Sequence, residues 1–145
     1  MKQLILSMIL LFLASNAHAG DAVLYDKVPI TYIGKFRWQN SSDIHQVVFT
    51  WNSQKEGKEG SISLEGRGTY GTGKKTEVKI KGLVEPKSRR IEIWESAEGA
   101  ANFATDQSHI GTISPDLKTI ETVWTTQGYS RNRGELKLIR KEGHR

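Results

Sequence analysis

The sequence predicts an all-β protein, an eight-stranded antiparallel up-and-down barrel, on three observations. Apolar and polar residues alternate with a period of two in most of the runs after residue 30. Short polar segments carrying glycine, proline or serine separate these runs. No long amphipathic helical pattern interrupts them. Alternation of this kind marks antiparallel strands with one buried face. Consecutive strands on short loops form a meander, and closing it on itself buries the apolar face and removes exposed edges. A two-sheet β-sandwich is the alternative.

The strands are expected at residues 32–39, 44–52, 60–70, 76–85, 89–96, 101–114, 118–126 and 134–141. Gly34, Phe36 and Trp38 share a face in the first, and Val47, Phe49 and Trp51 in the second. The third places Ile62, Leu64, Gly66, Gly68 and Tyr70 opposite Ser61, Ser63, Glu65, Arg67 and Thr69. The fourth places Val78, Ile80, Gly82 and Val84 opposite Glu77, Lys79 and Lys81. Ile91 and Ile93 continue the series, and Leu136 and Leu138 end it. Residues 52–60 read as a polar hairpin loop. At Ser114-Pro115-Asp116 proline presets φ for a turn, and the flanking hydroxyl and carboxylate bond back to local backbone. A break is expected near Asp106 and a short helical turn within 97–104. Residues 127–134 read as the last loop.

Residues 1–19 have the pattern of a secretory signal peptide: Lys2, an apolar run from Leu4 to Ala14, and a small-x-small close at Ala17-His18-Ala19. Cleavage is expected between Ala19 and Gly20. The run of about 11 residues is short of the roughly 20 that span a bilayer. Residues 20–145 then form one domain, periplasmic or secreted. With no cysteine in the chain, neither a disulfide nor a lipidated cysteine is available, so the core alone must hold the fold. The formal charge of +5 falls by one with Lys2. Basic residues gather around the fourth strand, from Lys74 to Arg90, and around the last, from Arg131 to Arg145. Acidic residues are interspersed, so these read as solvated faces and nucleic acid is not an expected partner. Outward Glu65, Arg67, Lys79 and Lys81 argue against insertion in a membrane.

Gly34-Lys35-Phe36-Arg37-Trp38, with a basic residue on the last strand, resembles the calycin superfamily of lipocalin- and avidin-like barrels. Their first strand carries a glycine-x-tryptophan; here Phe36 stands in the tryptophan position and Trp38 follows two residues later. The resemblance implies that Arg140 packs over Trp38 or Phe36 and closes the barrel floor, a structural role.

Signals for catalysis are poor. There is no cysteine nucleophile, and His45, His109 and His144 have no metal-ligand spacing. Ser108-His109 adjacency does not make a serine nucleophile and base, because neighbours on a strand point to opposite faces. His109 reads as loop surface. No catalytic residue, metal or cofactor is expected, and the protein is read as a non-enzyme. The inward aromatic set is more informative. Trp51, Tyr70, Trp124 and Phe49, with His45 and Thr122 in phase, are the candidate contacts for a small apolar or amphiphilic molecule. The simpler reading of the same rings, and the favoured one in a chain with no disulfides, is a packed core. Gly66 and Gly68 are expected to permit bending or leave room beside rings. Outward Trp94, and Tyr129, Arg131 and Arg133 in the last loop, are the candidate contacts for a protein partner.

Overall fold

The computed structural model describes residues 23–71, 73–97, 107–126 and 129–143, with backbone alone at 126 and 129–132. The leader, the expected break near Asp106 and residues 98–104 of the expected helical turn lie outside the described residues. Eight strands follow in chain order: β1 (Ile30–Trp38), β2 (Ile44–Glu56), β3 (Ile62–Tyr70), β4 (Thr76–Glu85), β5 (Arg90–Ala97), β6 (Gln107–Ile113), β7 (Thr119–Thr126) and β8 (Tyr129–Arg140). Each pairs antiparallel with the next, and β8 returns to pair with β1. The barrel is closed; the sandwich is not formed. No helix among the described residues is long and apolar enough to cross a membrane.

Two strands outrun their expected bounds because pairing overrides local turn composition. Polar Asn52–Glu56 continues β2 after a register shift between Trp51 and Ser53, and pairs with β3 as far as Glu56↔Ile62. The loop then shrinks to a single 3-10 turn at Lys58–Gly60. Likewise the stretch expected to be the last loop is strand from Tyr129 onward. A second shift, between Trp124 and Thr126, lets Thr126 pair with Tyr129.

Inside, the alternating residues pack as their phase dictates. Tyr32, Val47, Phe49, Trp51, Leu64, Ile93 and Leu136 are fully buried. Such a narrow barrel needs glycine where backbone or rings come closest. A Cβ on Gly34 would collide with the Lys137 carbonyl, one on Gly66 with that of Thr50, and one on Gly111 with that of Glu121. At Gly68 a Cβ would lie 2.6 Å from the Phe49 ring, and at Gly82 2.9 Å from Trp51. Gly66 therefore permits close strand approach and Gly68 leaves room for a ring.

One end of the barrel is sealed. The chain before β1 crosses it, held by the Gln54 amide, whose oxygen accepts from the Leu24 and Tyr25 N–H groups at 3.1 and 3.0 Å and whose nitrogen donates to the Tyr25 carbonyl at 2.6 Å. The Tyr25 hydroxyl lies 2.9 Å from that of Tyr32, which donates to the Leu117 carbonyl at 2.5 Å. Leu117 is presented by the Ser114-Pro115-Asp116 turn. There the Ser114 hydroxyl donates to Asp116 at 2.6 Å, and the Lys118 N–H donates to the same carboxylate at 3.0 Å. These bonds hold the Asp116 carboxyl below its ordinary range, the serine bond contributing most. Arg140 lies over the Tyr25 ring, 5.9 Å from its centroid. This corrects the expected contact with Trp38 or Phe36. Arg140 is in register with Tyr32 and Gly134 with Trp38, six residues along β8, or about 20 Å at roughly 3.3 Å per residue. Phe36, four residues along β1 from Tyr32 and paired with Leu136, meets Trp38 edge-on at 4.9 Å instead.

Gly111→Ala should destabilise the barrel by about 3 kcal/mol, the upper part of the range for overpacking, because backbone must move. Gly73→Ala, which meets no atom within 4 Å, should change the urea midpoint little. Tyr32→Phe leaves the Leu117 carbonyl and the Tyr25 hydroxyl unpaired and should cost roughly 2 kcal/mol, against about 1 kcal/mol for Tyr25→Phe. Equal midpoints for these two variants would contradict the chain of bonds described.

Candidate functional site at the open end of the barrel

The other end, where β1, β3, β5 and β7 finish, carries a pocket of about 350 Å³ lined by Phe36, Trp38, His45, Tyr70, Thr76, Val78, Glu95, His109 and Trp124. Seven strands, β1 to β7, each supply at least one of these residues. From β8 comes Gly134, which faces Trp38 and Trp124 in register. Its missing side chain leaves space for the Phe36 ring.

The rings form a continuous wall. Phe36 meets Trp38 at 4.9 Å, Tyr70 at 6.2 Å and His109 at 5.9 Å, all close to edge-on. His109 and Trp124 are 4.6 Å apart between centroids. Edge-to-face geometry sets the positive rim of one ring against the negative face of another.

A polar cluster is set into this wall. The Tyr70 hydroxyl donates to Glu95 Oε1. His109 Nε2 lies 2.9 Å from the same oxygen and 3.3 Å from the Tyr70 hydroxyl. A carboxylate only accepts, so this arrangement assigns the imidazole proton to Nε2. His109 is 1% exposed, and its Nδ1 is buried without a partner among the described residues. Thr122 Oγ1, beside Gly111 and one step deeper, is likewise buried and unpaired. The Glu95 side chain keeps 16% exposure. Both bonds end on Oε1, leaving Oε2 without a hydrogen-bond partner among the described residues. Burial, and then the neighbouring Glu95 charge, push the Tyr70 phenol well above its ordinary value, because both oppose a phenolate.

The expected site residues divide by depth. His45, Tyr70 and Trp124 line the pocket, joined by Phe36 and Trp38. Phe49 and Trp51 are fully buried below it, and Thr122 lies under the wall. His45 keeps its inward phase but is exposed at the rim. Trp94 faces outward, in register with Lys81, and is half-buried. Arg133 is an exposed residue of β8, and the side chains of Tyr129 and Arg131 lie outside the described residues. All three belong to a strand and not to the loop in which they were expected.

Two site residues went unread in the sequence. His109, expected on loop surface, is on β6 and buried. Its hydrophilic neighbours Asp106-Gln107-Ser108 suggested a loop, yet His109 shares its phase with Gly111 and Ile113, both of which point inward. Glu95 is in phase with Ile91 and Ile93, and a single carboxylate there carries no apolar signal that would mark it as inward. Among the described residues no group of three or more His, Cys, Asp or Glu could hold a metal ion.

The fold and site define a closed up-and-down barrel sealed at one end and carrying an aromatic-walled pocket at the other. No known family model matches the chain, and no curated protein matches its sequence.

Of the four tyrosines, Tyr25, Tyr32 and Tyr70 have phenols raised by burial above the ordinary value of 10.0. The unfolded chain ionises near pH 10 while the folded one resists. The stability these phenols contribute is therefore complete below pH 10 and declines above it. The expected slope is about 1.4 kcal/mol per pH unit for each tyrosine. Absorbance at about 295 nm should show these three ionising only together with cooperative unfolding. Titration of all four near pH 10, with the circular dichroism unchanged, would contradict the burial.

Proposed function

We propose that the protein is an exported, non-enzymatic barrel of calycin type that binds one small apolar or amphiphilic molecule at its open end. The observation that carries this reading is the pocket of about 350 Å³, with rings on its walls and the Glu95–His109–Tyr70 cluster among them. Small-molecule sites combine this kind of apolar wall with a few convergent polar groups, in volumes of roughly 300–1,000 Å³. Because Phe49 and Trp51 occupy the interior below, the ligand sits at the mouth and not at the barrel's centre. Its apolar part meets Phe36, Trp38 and Trp124, and its polar group faces Glu95.

Three titratable groups converge here, the arrangement an acid–base catalyst needs, but the ring is poorly placed for it. His109 Nε2 is engaged by Glu95 and Nδ1 is shut from solvent, so neither nitrogen is presented to a bound molecule. Binding without turnover is the reading this favours. The leader-like segment 1–19 supports export. Exposed Glu65, Arg67, Lys79 and Lys81 on the outer faces of β3 and β4 disfavour a barrel embedded in lipid, where a midplane Arg or Lys costs roughly 2–4 kcal/mol.

The test is tryptophan emission against a panel of apolar and amphiphilic compounds, in protein carrying Trp94→Phe to remove the outward-facing fluorophore. A bound ligand should shift or quench emission from Trp38 and Trp124. Trp124→Ala should weaken binding about tenfold, equivalent to roughly 1.4 kcal/mol. A panel that leaves the emission unchanged throughout would sink the proposal.

A further inference from the structure

We infer that the open-end pocket selects a small organic ammonium ion, held by Glu95 and the surrounding rings. This rests on the small-molecule reading above and names the class of ligand. Four observations carry it. First, the Glu95 carboxylate is fixed in place by two donors, Tyr70 and His109, that both end on Oε1. Its Oε2 has no hydrogen-bond partner among the described residues, and the side chain keeps 16% exposure. Second, none of the described residues that line the pocket is a lysine or arginine. Third, the depression outside β1, β2 and β8 is lined by Lys35, Arg37 and Lys137 against one acid, Glu135, so the open-end pocket is the more acidic of the two. Fourth, the walls carry the rings of Phe36, Trp38, Tyr70 and Trp124, and ring faces attract a cation electrostatically.

These features exclude the simpler ligands. A carboxylate or phosphate would meet Glu95 without a basic partner among the described lining residues. A purely apolar molecule would desolvate the free carboxylate oxygen without compensation, which is costly for an ionised group. An ammonium group answers both demands. It neutralises the carboxylate, and its alkyl substituents fill the aromatic wall.

The experiment compares choline with the uncharged alcohol in which a tert-butyl group replaces the trimethylammonium. The two probes have the same shape and differ in charge alone. Each is titrated into the intact protein and followed by tryptophan emission and calorimetry. Choline should bind at least about tenfold more tightly than the alcohol. Glu95→Gln keeps an acceptor for Tyr70 and His109 but removes the charge, and should bring the ratio close to one. Should that variant fail to fold by circular dichroism, Trp124→Leu serves instead. It keeps the charge, removes a ring, and should weaken choline more than the alcohol. Equal binding of the two probes by the unmodified protein, or preference for the alcohol, overturns the ammonium assignment and leaves the small-molecule reading standing. Failure of these probes together with the whole amphiphile panel overturns both.

Discussion

Pairing of β8 with β1 closes the sheet, and the rest of the architecture depends on how tightly that closure is made. At the seam the Lys137 carbonyl of β8 sits where a side chain at position 34 would begin. Glycine is what allows the two backbones so near each other. The same device recurs where Gly66 meets Thr50 and where Gly111 meets Glu121. A barrel drawn in this way has little interior to spare. Large rings enter it only where a facing strand gives up its side chain, as Gly68 does for Phe49 and Gly82 for Trp51. With the middle filled, any space for another molecule is displaced towards an end.

The two ends are then made different by polar chemistry. At the sealed end every hydroxyl of the Tyr25–Tyr32–Leu117 chain has a partner, and the chain before β1 is fastened by one amide, that of Gln54. These are buried polar groups satisfied internally, which is what a permanent plug requires. At the open end the Glu95–His109–Tyr70 cluster is satisfied on one side only. One carboxylate oxygen takes both bonds, and His109 Nδ1 has none among the described residues. Incomplete satisfaction in a low-dielectric setting is expensive for stability. Polar groups kept under that cost are among the features by which binding sites are found.

Much of this was legible before the fold was known. The phase of Val47, Phe49 and Trp51, and of Ile62 through Tyr70, gave the buried face of β2 and β3 directly. The turn at Ser114-Pro115-Asp116 followed from its side-chain chemistry. The exceptions share a physical cause. Asn52–Glu56 and Tyr129–Arg133 are composed like loops, and only ladders supplied by distant strands make them extended. The family resemblance implies that Arg140 packs over Trp38 or Phe36, but the register between β1 and β8 places it at the opposite end of β1, over Tyr25. Register is a property of paired strands and cannot be read from either strand alone.

By itself the sequence determined that the chain is all-β, that its strands are sequential and antiparallel, and which face of most of them is buried. Period-two alternation is a local property, and each strand carries its own record of it. Tertiary structure alone decided that the rings at positions 49 and 51 are core while those at 36, 38, 70 and 124 wall a pocket. It decided too that Glu95 and His109 meet. Those two residues lie on neighbouring strands with their side chains on the same face, and their contact depends on the stagger of β5 against β6 and on the closure of the barrel around them. Alternation reports which way a side chain points. What it meets there is fixed by the seven other strands.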